Sequence, residues 1–155
     1  MIGRLTGIIA EKKPPIILLD VNGVGYEVHA PMRTFYQLEQ HTGKVTLLTH
    51  LIVREDQHTL YGFHDDQERD LFLSLIKVNG IGPKLALSIL SGIETDQFVH
   101  CIQQQEAGTL IKIPGVGKKT AERMVMEMRD TFAAWQFNTS ASEQSAISPT
   151  DQSVQ

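Results

Sequence analysis

Residues 76–86 have the sequence IKVNGIGPKLA, and residues 111–121, which lie 35 positions later, have the sequence IKIPGVGKKTA. Both copies place an apolar residue, a glycine, another apolar residue and a second glycine in the same register, followed closely by lysine and alanine. Glycine permits a positive φ angle and lets a partner approach the backbone closely. Each copy is therefore predicted to be a helix-hairpin-helix, in which a short helix, a tight Gly-x-Gly turn and a second helix follow one another.

The start of the second helix in each copy suits an anion, because unpaired N–H groups and the positive end of the helix dipole meet there. Neighbouring lysines add positive charge that suits phosphate. A single turn of this kind could simply pack two helices together, but two such copies favour the successive phosphates of a nucleic-acid backbone. The predicted phosphate-binding residues are Gly80, Gly82, Lys84, Gly115, Gly117, Lys118, Lys119 and Arg123.

The charge of the chain supports this interpretation when it is counted by segment. The formal net charge is −4 at pH 7, which argues against a nucleic-acid partner if it is taken for the whole chain. Residues 76–90 contain two lysines and no acid, and residues 111–125 contain three lysines and one arginine against one glutamate. Positive charge is therefore local to the two predicted hairpins, and salt screens distant acids over about 8–10 Å.

Composition indicates an ordinary globular protein of one or two small domains, with 41% hydrophobic and 21% charged residues. Cys101 is the only cysteine, which excludes an internal disulfide and a thiolate metal cluster. The N-terminus lacks the apolar segment of a signal peptide, and no run approaches transmembrane length. We therefore expect a cytoplasmic protein without a membrane partner.

The first 63 residues have the pattern of short β-strands. Strands are predicted at residues 2–9, 16–21, 25–29, 44–53 and 59–63, with a hairpin turn at Asn22-Gly23 and a helical turn near residues 34–40. Five short strands in about 60 residues suit a small Greek-key barrel of the OB type.

The pattern changes to helix at Asp65, which has the spacing of a capping pair with Glu68. The last helix is predicted to run from about Lys118 to Trp135. Residues 139–155 are polar and aperiodic, which predicts a flexible linker or tail. The predicted fold is α+β and multidomain: an OB-type β-barrel at residues 1–64, an all-α tandem helix-hairpin-helix domain at residues 65–138, and the tail.

Motifs for catalysis are missing from the sequence. Residues 117–120, GKKT, resemble the end of a P-loop, but that motif needs Ser or Thr directly after its lysine and would place its first glycine at Lys112. The chain also lacks His-Glu-x-x-His, Cys-x-x-Cys and Gly-x-Ser-x-Gly. We expect no ATP hydrolysis, no catalytic residue, no metal site and no cofactor.

Two adjacent carboxylates, Glu55 and Asp56, lie at the tip of a predicted hairpin over residues 51–61. They could belong to a solvated turn or to a protected sheet edge. A nuclease site would need further carboxylates nearby, and the sequence identifies none. A third interpretation is that this charge repels phosphates and shapes their path.

The order of these elements, a barrel with an Arg-Glu-Asp hairpin followed by two helix-hairpin-helix units, closely resembles the RuvA family. The resemblance covers about residues 1–137. It rests on MIGRL at residues 1–5, GVGYEV at 23–28, VRED at 53–56, LYGF at 60–63, NGIGPKLA at 79–86 and PGVGKKTAER at 114–123.

The resemblance implies a non-catalytic subunit that holds a four-way (Holliday) DNA junction open for branch migration by a separate ATPase motor, RuvB. It also implies a homotetramer or octamer, with RuvC as the resolving nuclease. Arg54 joins the DNA-binding residues, and Glu55 and Asp56 become an acidic pin at the junction centre. Proteins of this family carry a third, helical domain that docks on the motor, and this chain ends at Gln155 in what resembles the linker before it. We therefore expect its coupling to RuvB to be impaired.

Two other functions are compatible with the hairpins. One is a helix-hairpin-helix glycosylase or nuclease, although such a glycosylase typically places a catalytic Asp after Gly-Pro, where this chain has Lys84. The other is a generic duplex-binding module.

Overall fold

The computed structural model describes the backbone of residues 1–146 and the side chains of residues 1–133. Its first part is a five-stranded barrel, in which alternate residues of each strand point inward. Ile17, Leu19, Val28 and Leu47 are completely buried in its interior. The strands are β1 (Arg4–Lys13), β2 (Ile16–Val21), β3 (Val24–His29), β4 (Lys44–Val53) and β5 (His58–Phe63).

The barrel closes because β1 pairs with two strands and β3 reaches β5. β1 is antiparallel to both β2 and β4. The pairing of β3 with β5 is parallel and joins Val28 to Leu60 and His29 to Tyr61. The strand order is β1-β2-β3-β5-β4 in a closed barrel, which confirms the predicted OB-type architecture.

Strand β1 is longer than predicted. The sequence pattern ended it at Ile9 because residues 10–13 are small or charged, whereas the strand continues to Lys13. After a register shift between Ile9 and Glu11, residues 11–13 pair with residues 16–18 of β2. Backbone pairing with a neighbouring strand therefore extends β1 beyond its apolar part.

Helix α1 (Met32–Leu38) connects β3 to β4 and begins two residues before the predicted helical turn. Its Phe35 and Leu38 pack into the barrel core. At its start, the backbone N–H of Met32 donates a hydrogen bond to Oγ of Ser91, at 3.0 Å, in the helical part of the chain. Helix α1 thus lies between the barrel and the helices that follow it.

In the described residues, the barrel is followed by α2 (Asp66–Ile76), α3 (Pro83–Gly92), α4 (Thr95–Gln103), α5 (Ala107–Leu110) and α6 (Lys118–Ala146). Helices α2 and α3 form the first helix-hairpin-helix, α5 and α6 form the second, and α4 connects them. The predicted cap of α2 is present, because Oδ1 of Asp65 accepts a hydrogen bond from the backbone N–H of Glu68 at 2.8 Å.

The two hairpins are closed by equivalent apolar residues. Leu75, Val78, Ile81 and Ala86 of the first unit are buried. The residues 35 positions later in the second unit, Leu110, Ile113, Val116 and Ala121, are buried as well. The sequence repeat is therefore also a repeat of core positions.

Helix α2 packs directly against the barrel. The ring centroid of Phe72 lies 5.0 Å from the centroids of Tyr61 and of Phe63, both on β5, and all three side chains are buried. Beside them, Nη1 of Arg69 donates a hydrogen bond to the backbone oxygen of Gly3 at 3.0 Å. The hairpin-bearing helices thus rest on the strand that leaves the Glu55-Asp56 turn.

The predicted end of the last helix is wrong. The prediction stopped this helix at Trp135, whereas α6 continues to Ala146. The range Lys118–Ala146 contains neither glycine nor proline, and adding a residue to an existing helix is far easier than starting one. A polar composition is therefore compatible with helix here. Of the predicted tail, residues 147–155 lie outside the described part of the chain.

Among the described residues, no helix combines the length and the apolar character needed to cross a lipid bilayer.

Candidate nucleic-acid interface

The two glycine turns have the same backbone geometry. Gly80 and Gly115 occupy equivalent positions, with φ angles of 93° and 89°. In the first turn the N–H of Ile81 donates to the oxygen of Val78 at 3.1 Å, and the equivalent bond in the second turn measures 3.0 Å. A side chain would be strained at these angles, which explains why both positions are glycine.

The second helix of each unit begins at the second glycine. The N–H of Ala86 donates to the oxygen of Gly82 at 3.0 Å, and the N–H of Ala121 donates to the oxygen of Gly117 at 2.9 Å. No side chain caps the N-terminus of α3 at Gly82. A Cβ atom built on Gly82 or Gly117 would meet nothing within 4 Å. Open space therefore lies in front of both glycines, where an anion could approach the free N–H groups.

The predicted lysines border this open space. Lys84, Lys118 and Lys119 are exposed, and none of them takes part in an ion pair with another described residue. Their ammonium groups are therefore available to phosphate oxygens.

Arg123 has a different environment from the lysines. It lies on α6 of the second unit, yet its Nη1 donates a hydrogen bond to the backbone oxygen of Asn79 in the first turn at 3.1 Å. In the opposite direction, Cδ1 of Leu85 on α3 lies 3.1 Å from the position of a Cβ atom on Gly115. The two units thus brace each other through their turns. We call this pair of contacts the turn brace.

The carboxylates are exposed at the tip of the β4–β5 hairpin. The N–H of Arg54 donates to the oxygen of Gln57 at 2.9 Å, which closes a four-residue turn with Glu55 and Asp56 at its centre. Both side chains are exposed, and neither is in an ion pair with a described residue. Their negative charge is therefore directed to solvent or to a partner.

The structure brings the base of this hairpin next to the first glycine turn. A cleft of about 320 Å³ lies between Arg54, Gln57 and Tyr61 on one side and Gly82 to Lys84 on the other. A wider groove of about 880 Å³ includes His29 and Lys84 and extends along α3 to Ser91. Burial lowers the pKa of His29, Glu27 raises it, and the charge of Lys84 lowers it further.

Sequence reasoning missed the uncharged lining of this cleft. Gln57 and Tyr61 face the first turn, and Nε2 of Gln57 donates a hydrogen bond to Oγ1 of Thr59 at 3.2 Å. The charged residues of the hairpin indicate a site by themselves, whereas these two do not. Their position is the signal that could have identified them. Gln57 directly follows the Arg-Glu-Asp tip, and Tyr61 lies on the strand that leaves it.

One group of described residues has the composition of a metal site. His64, Asp65 and Glu68 offer ligand atoms that all lie within 4.8 Å of one another. However, Nδ1 of His64 is 2.9 Å from Oε2 of Glu68 and its Nε2 is 3.1 Å from Oδ2 of Asp65, while Nε of Arg33 is 3.7 Å from Oε1 of Glu68. Protein side chains already contact these carboxylates, so the arrangement is a network of polar contacts in which Arg33 supplies the positive charge.

Comparison with known families divides the chain at the same place as the fold. Residues 1–62 match the family model described as RuvA N terminal domain. Residues 72–130 match the family model described as SAM-like helix-hairpin-helix tandem. The first match covers the barrel, and the second covers both glycine turns.

Individual relatives extend the similarity over the whole chain. A protein of Coxiella burnetii, named Holliday junction branch migration complex subunit RuvA, is 57% identical over 155 residues, which are 100% of this chain and 78% of the relative. A protein of Pseudomonas aeruginosa with the same name is 60% identical over 136 residues, which are 88% of this chain and 68% of the relative.

Proposed function

Because this chain belongs to the RuvA family, we propose that its two glycine turns and its acidic hairpin form one surface for a four-way (Holliday) DNA junction. The chain acts in branch migration as a non-catalytic DNA-binding subunit, in a complex whose ATPase is the RuvB motor.

The observation that carries this proposal is the repeated geometry of the turns. Gly80 and Gly115 share one backbone conformation, and the space in front of Gly82 and Gly117 is open. The turn brace links the two turns directly. Two linked anion sites suit two phosphates of a duplex, whose backbone is the same for every base sequence.

The residues proposed to contact phosphate are those around the turns together with Arg54 at the base of the hairpin. Arg54 lines the same cleft as Gly82 and Lys84, which supports a path for DNA from the first turn toward the hairpin. In this proposal Glu55 and Asp56 are the acidic pin. Carboxylates repel phosphates and so keep the strands at the crossover apart.

The assembly proposed for this subunit is a homotetramer, with an octamer as its doubled form. A junction has four arms that meet at one point, and four copies around a closed rotation axis would offer each arm the same surface. RuvC is the proposed resolving partner, and the cytoplasm the proposed location. For the domains we propose a boundary between residues 64 and 65, in keeping with the end of β5 at Phe63 and the start of α2 at Asp66, and a second between residues 138 and 139, which lies within α6.

The test compares binding to a four-way junction with binding to a linear duplex of the same arm sequence at one salt concentration. Tighter binding to the junction, with neither DNA cleaved in the presence of Mg²⁺, is the expected result. Equal affinity for the two DNAs would indicate a generic duplex-binding module and contradict the proposal. Cleavage of either DNA would make it an enzyme and contradict the proposal.

A further inference from the structure

Glu68 carries a carboxylate that is buried where the barrel meets the helices. Only 1% of the surface of Glu68 is exposed to solvent. Oε2 accepts a hydrogen bond from Oγ1 of Thr34 at 3.1 Å and lies 2.9 Å from Nδ1 of His64. Thr34 belongs to α1, His64 follows β5, and Glu68 itself lies in α2. One buried carboxylate of α2 therefore contacts two other segments, α1 and the residue that follows β5.

Arg33 extends this network to the next helices. Its Nε is 3.7 Å from Oε1 of Glu68, and its Nη2 is 3.5 Å from Oε1 of Glu94, the residue before α4. One residue earlier, Met32 is bonded to Ser91 at the end of α3. Helix α1 of the barrel is thus joined by polar contacts to α2, to α3 and to the start of α4. We call Arg33, Thr34, His64 and Glu68 the α1 joint.

Outside the α1 joint, and apart from the hydrogen bonds of Arg69 to Gly3 and of Met32 to Ser91, the contact described between barrel and helices is apolar. Phe72 packs on Tyr61 and Phe63, and such apolar contact is non-directional. A small rotation of α2 on the barrel would preserve most of this packing. Hydrogen bonds to a charged group depend strongly on direction, so the α1 joint limits rotation where the aromatic contact does not.

Burial of a carboxylate is unfavourable in itself. Burial raises the pKa of Glu68, and neighbouring His64 opposes this effect. An apolar pair of similar volume often stabilises a fold as well as a buried ion pair does, or better. A buried carboxylate that contacts two other segments is therefore weak evidence for added stability, and its directional contacts fit a role in orientation.

The orientation matters because the two parts of the proposed DNA surface lie on opposite sides of this joint. The acidic pin belongs to the barrel, and the glycine turns belong to the helices. A duplex needs only the turns, whereas a junction must meet the turns and the pin at once. An altered angle would turn the pin carboxylates toward the phosphates of the junction arms and so weaken junction binding, whereas a duplex bound at the turns alone would be unaffected.

From this arrangement we infer that Glu68 is a positioning residue, which sets the angle between pin and glycine turns and thereby the preference for a junction over a duplex. The inference rests on the proposed function. A wild-type protein without junction preference would contradict the proposed function, whereas a variant that keeps the full preference contradicts the inference alone.

The first experiment measures both affinities for Glu68→Gln in the full chain. Glutamine keeps the size of the side chain and can still accept the hydrogen bond of Thr34, but it removes the ionisable carboxylate that Arg33 and His64 contact. We expect junction affinity to fall about tenfold, equivalent to about 1.4 kcal/mol, with duplex affinity unchanged. Equal losses for both DNAs, or no loss for either, would overturn the inference.

Thr49→Val is the matched control. Thr49 is also a buried polar residue, but its Oγ1 donates to the backbone oxygen of Ile2 at 2.7 Å, which is a contact within the barrel part. This variant should lose stability and keep its preference for the junction. If it lost the preference as Glu68→Gln does, the effect would come from general destabilisation and the inference would fail.

A distance measurement tests the angle without DNA and also covers the case that Glu68→Gln folds poorly. Spin labels at Lys44→Cys on the barrel and Gln104→Cys after α4, diluted with unlabelled protein, report the distance between the two parts. We expect Glu68→Gln, or Arg33→Met in its place, to broaden or shift this distribution, and Thr49→Val to leave it unchanged. An unchanged distribution in the folded joint variant would refute the positioning role.

Discussion

Arg123 differs from the lysines of the two turns in what it already contacts. Its Nη1 is bonded to the oxygen of Asn79, whereas Lys118 and Lys119 have no ion-pair partner among the described residues. Removing Arg123 would remove both a charge and a support of the first turn. A lysine therefore gives the clearer test of phosphate contact.

Replacing Lys118 with Ala should weaken DNA binding about equally for junctions of different base sequence. One lost phosphate contact releases one fewer counterion, so the slope of log affinity against log salt should fall by roughly 1. Salt titrations of both proteins check this. Lys12→Ala, on strand β1, is the matched control and should change neither affinity nor slope. A loss that depends on base sequence would contradict backbone recognition.

His50 should make folding stability depend on pH. Burial lowers its pKa, and the charge of Arg69 acts in the same direction. A base whose pKa falls on folding binds protons more readily when unfolded, so its contribution is present above the ordinary value of 6.5 and is lost as the pH falls below that value. His29 contributes with the same sign. Urea unfolding should therefore show that the free energy of unfolding falls less at low pH for His50→Gln than for the unsubstituted chain.

The control for that measurement is His100→Gln, because His100 is exposed on α4. The test is the difference between the two variants in the stability that each loses at low pH. If His50→Gln behaved in the same way, His50 would not be a source of the acid sensitivity.

Glu68 shows where prediction from sequence reached its limit for single residues. Its spacing from Asp65 correctly indicated the start of a helix, and the backbone half of that cap is present. The side chain turns instead toward Thr34 and Arg33 of α1. Those residues are more than 30 positions away, and only the folded arrangement brings them to the carboxylate.

At the scale of elements, the repeated turn was predictable because its geometry is local. Two glycines at fixed spacing determine the backbone of each turn, and the structure repeats it at Gly80 and Gly115. The turn brace was not predictable, since the contact of Leu85 with Gly115 depends on how one unit packs on the other. The predicted end of the last helix was wrong for another reason. Polar residues indicate that a segment is not buried, but they do not exclude a helix.

Two alanine substitutions within one turn should separate folding from binding. Gly115→Ala meets a positive φ angle and Leu85 at 3.1 Å, so it should cost about 1–2 kcal/mol of stability from the backbone alone. Gly117→Ala meets open space and should leave stability unchanged, but its methyl group projects toward an approaching phosphate. Thermal unfolding and duplex binding measured side by side check both. Normal DNA binding by Gly117→Ala would place the phosphate elsewhere.

For the whole molecule, the distribution of charge matters more than its sum. The chain is acidic overall, at −4, while the turns are basic and the hairpin tip carries two carboxylates without an ion-pair partner among the described residues. Binding energy from the turns and repulsion from the tip therefore act on the same DNA at different places.

Neutralising the tip with Glu55→Gln and Asp56→Asn should leave junction binding at least as tight, because unfavourable contacts disappear. Two like charges about 4 Å apart cost roughly 1 kcal/mol in water and more where water is excluded. The preference for junction over duplex should decrease, because a continuous duplex could then lie across the tip without repulsion, and the rate of strand exchange through the centre should change. Affinity for both DNAs and strand-exchange rates measure these effects. Much weaker junction binding by an intact assembly would refute a repulsive pin.

Arg123 and Leu85 link the two turns, so in the proposed function these two contacts set the spacing of the phosphates that a duplex must present. An RNA duplex is A-form, with a wide and shallow minor groove, so its phosphates should fit one turn at a time. We expect an RNA duplex to compete poorly with a labelled DNA duplex for the protein. Arg123→Ala, which removes one contact of the turn brace, should reduce the difference in affinity between the two duplexes. Discrimination between kinds of double helix would then follow from two contacts inside the protein, neither of which involves a base.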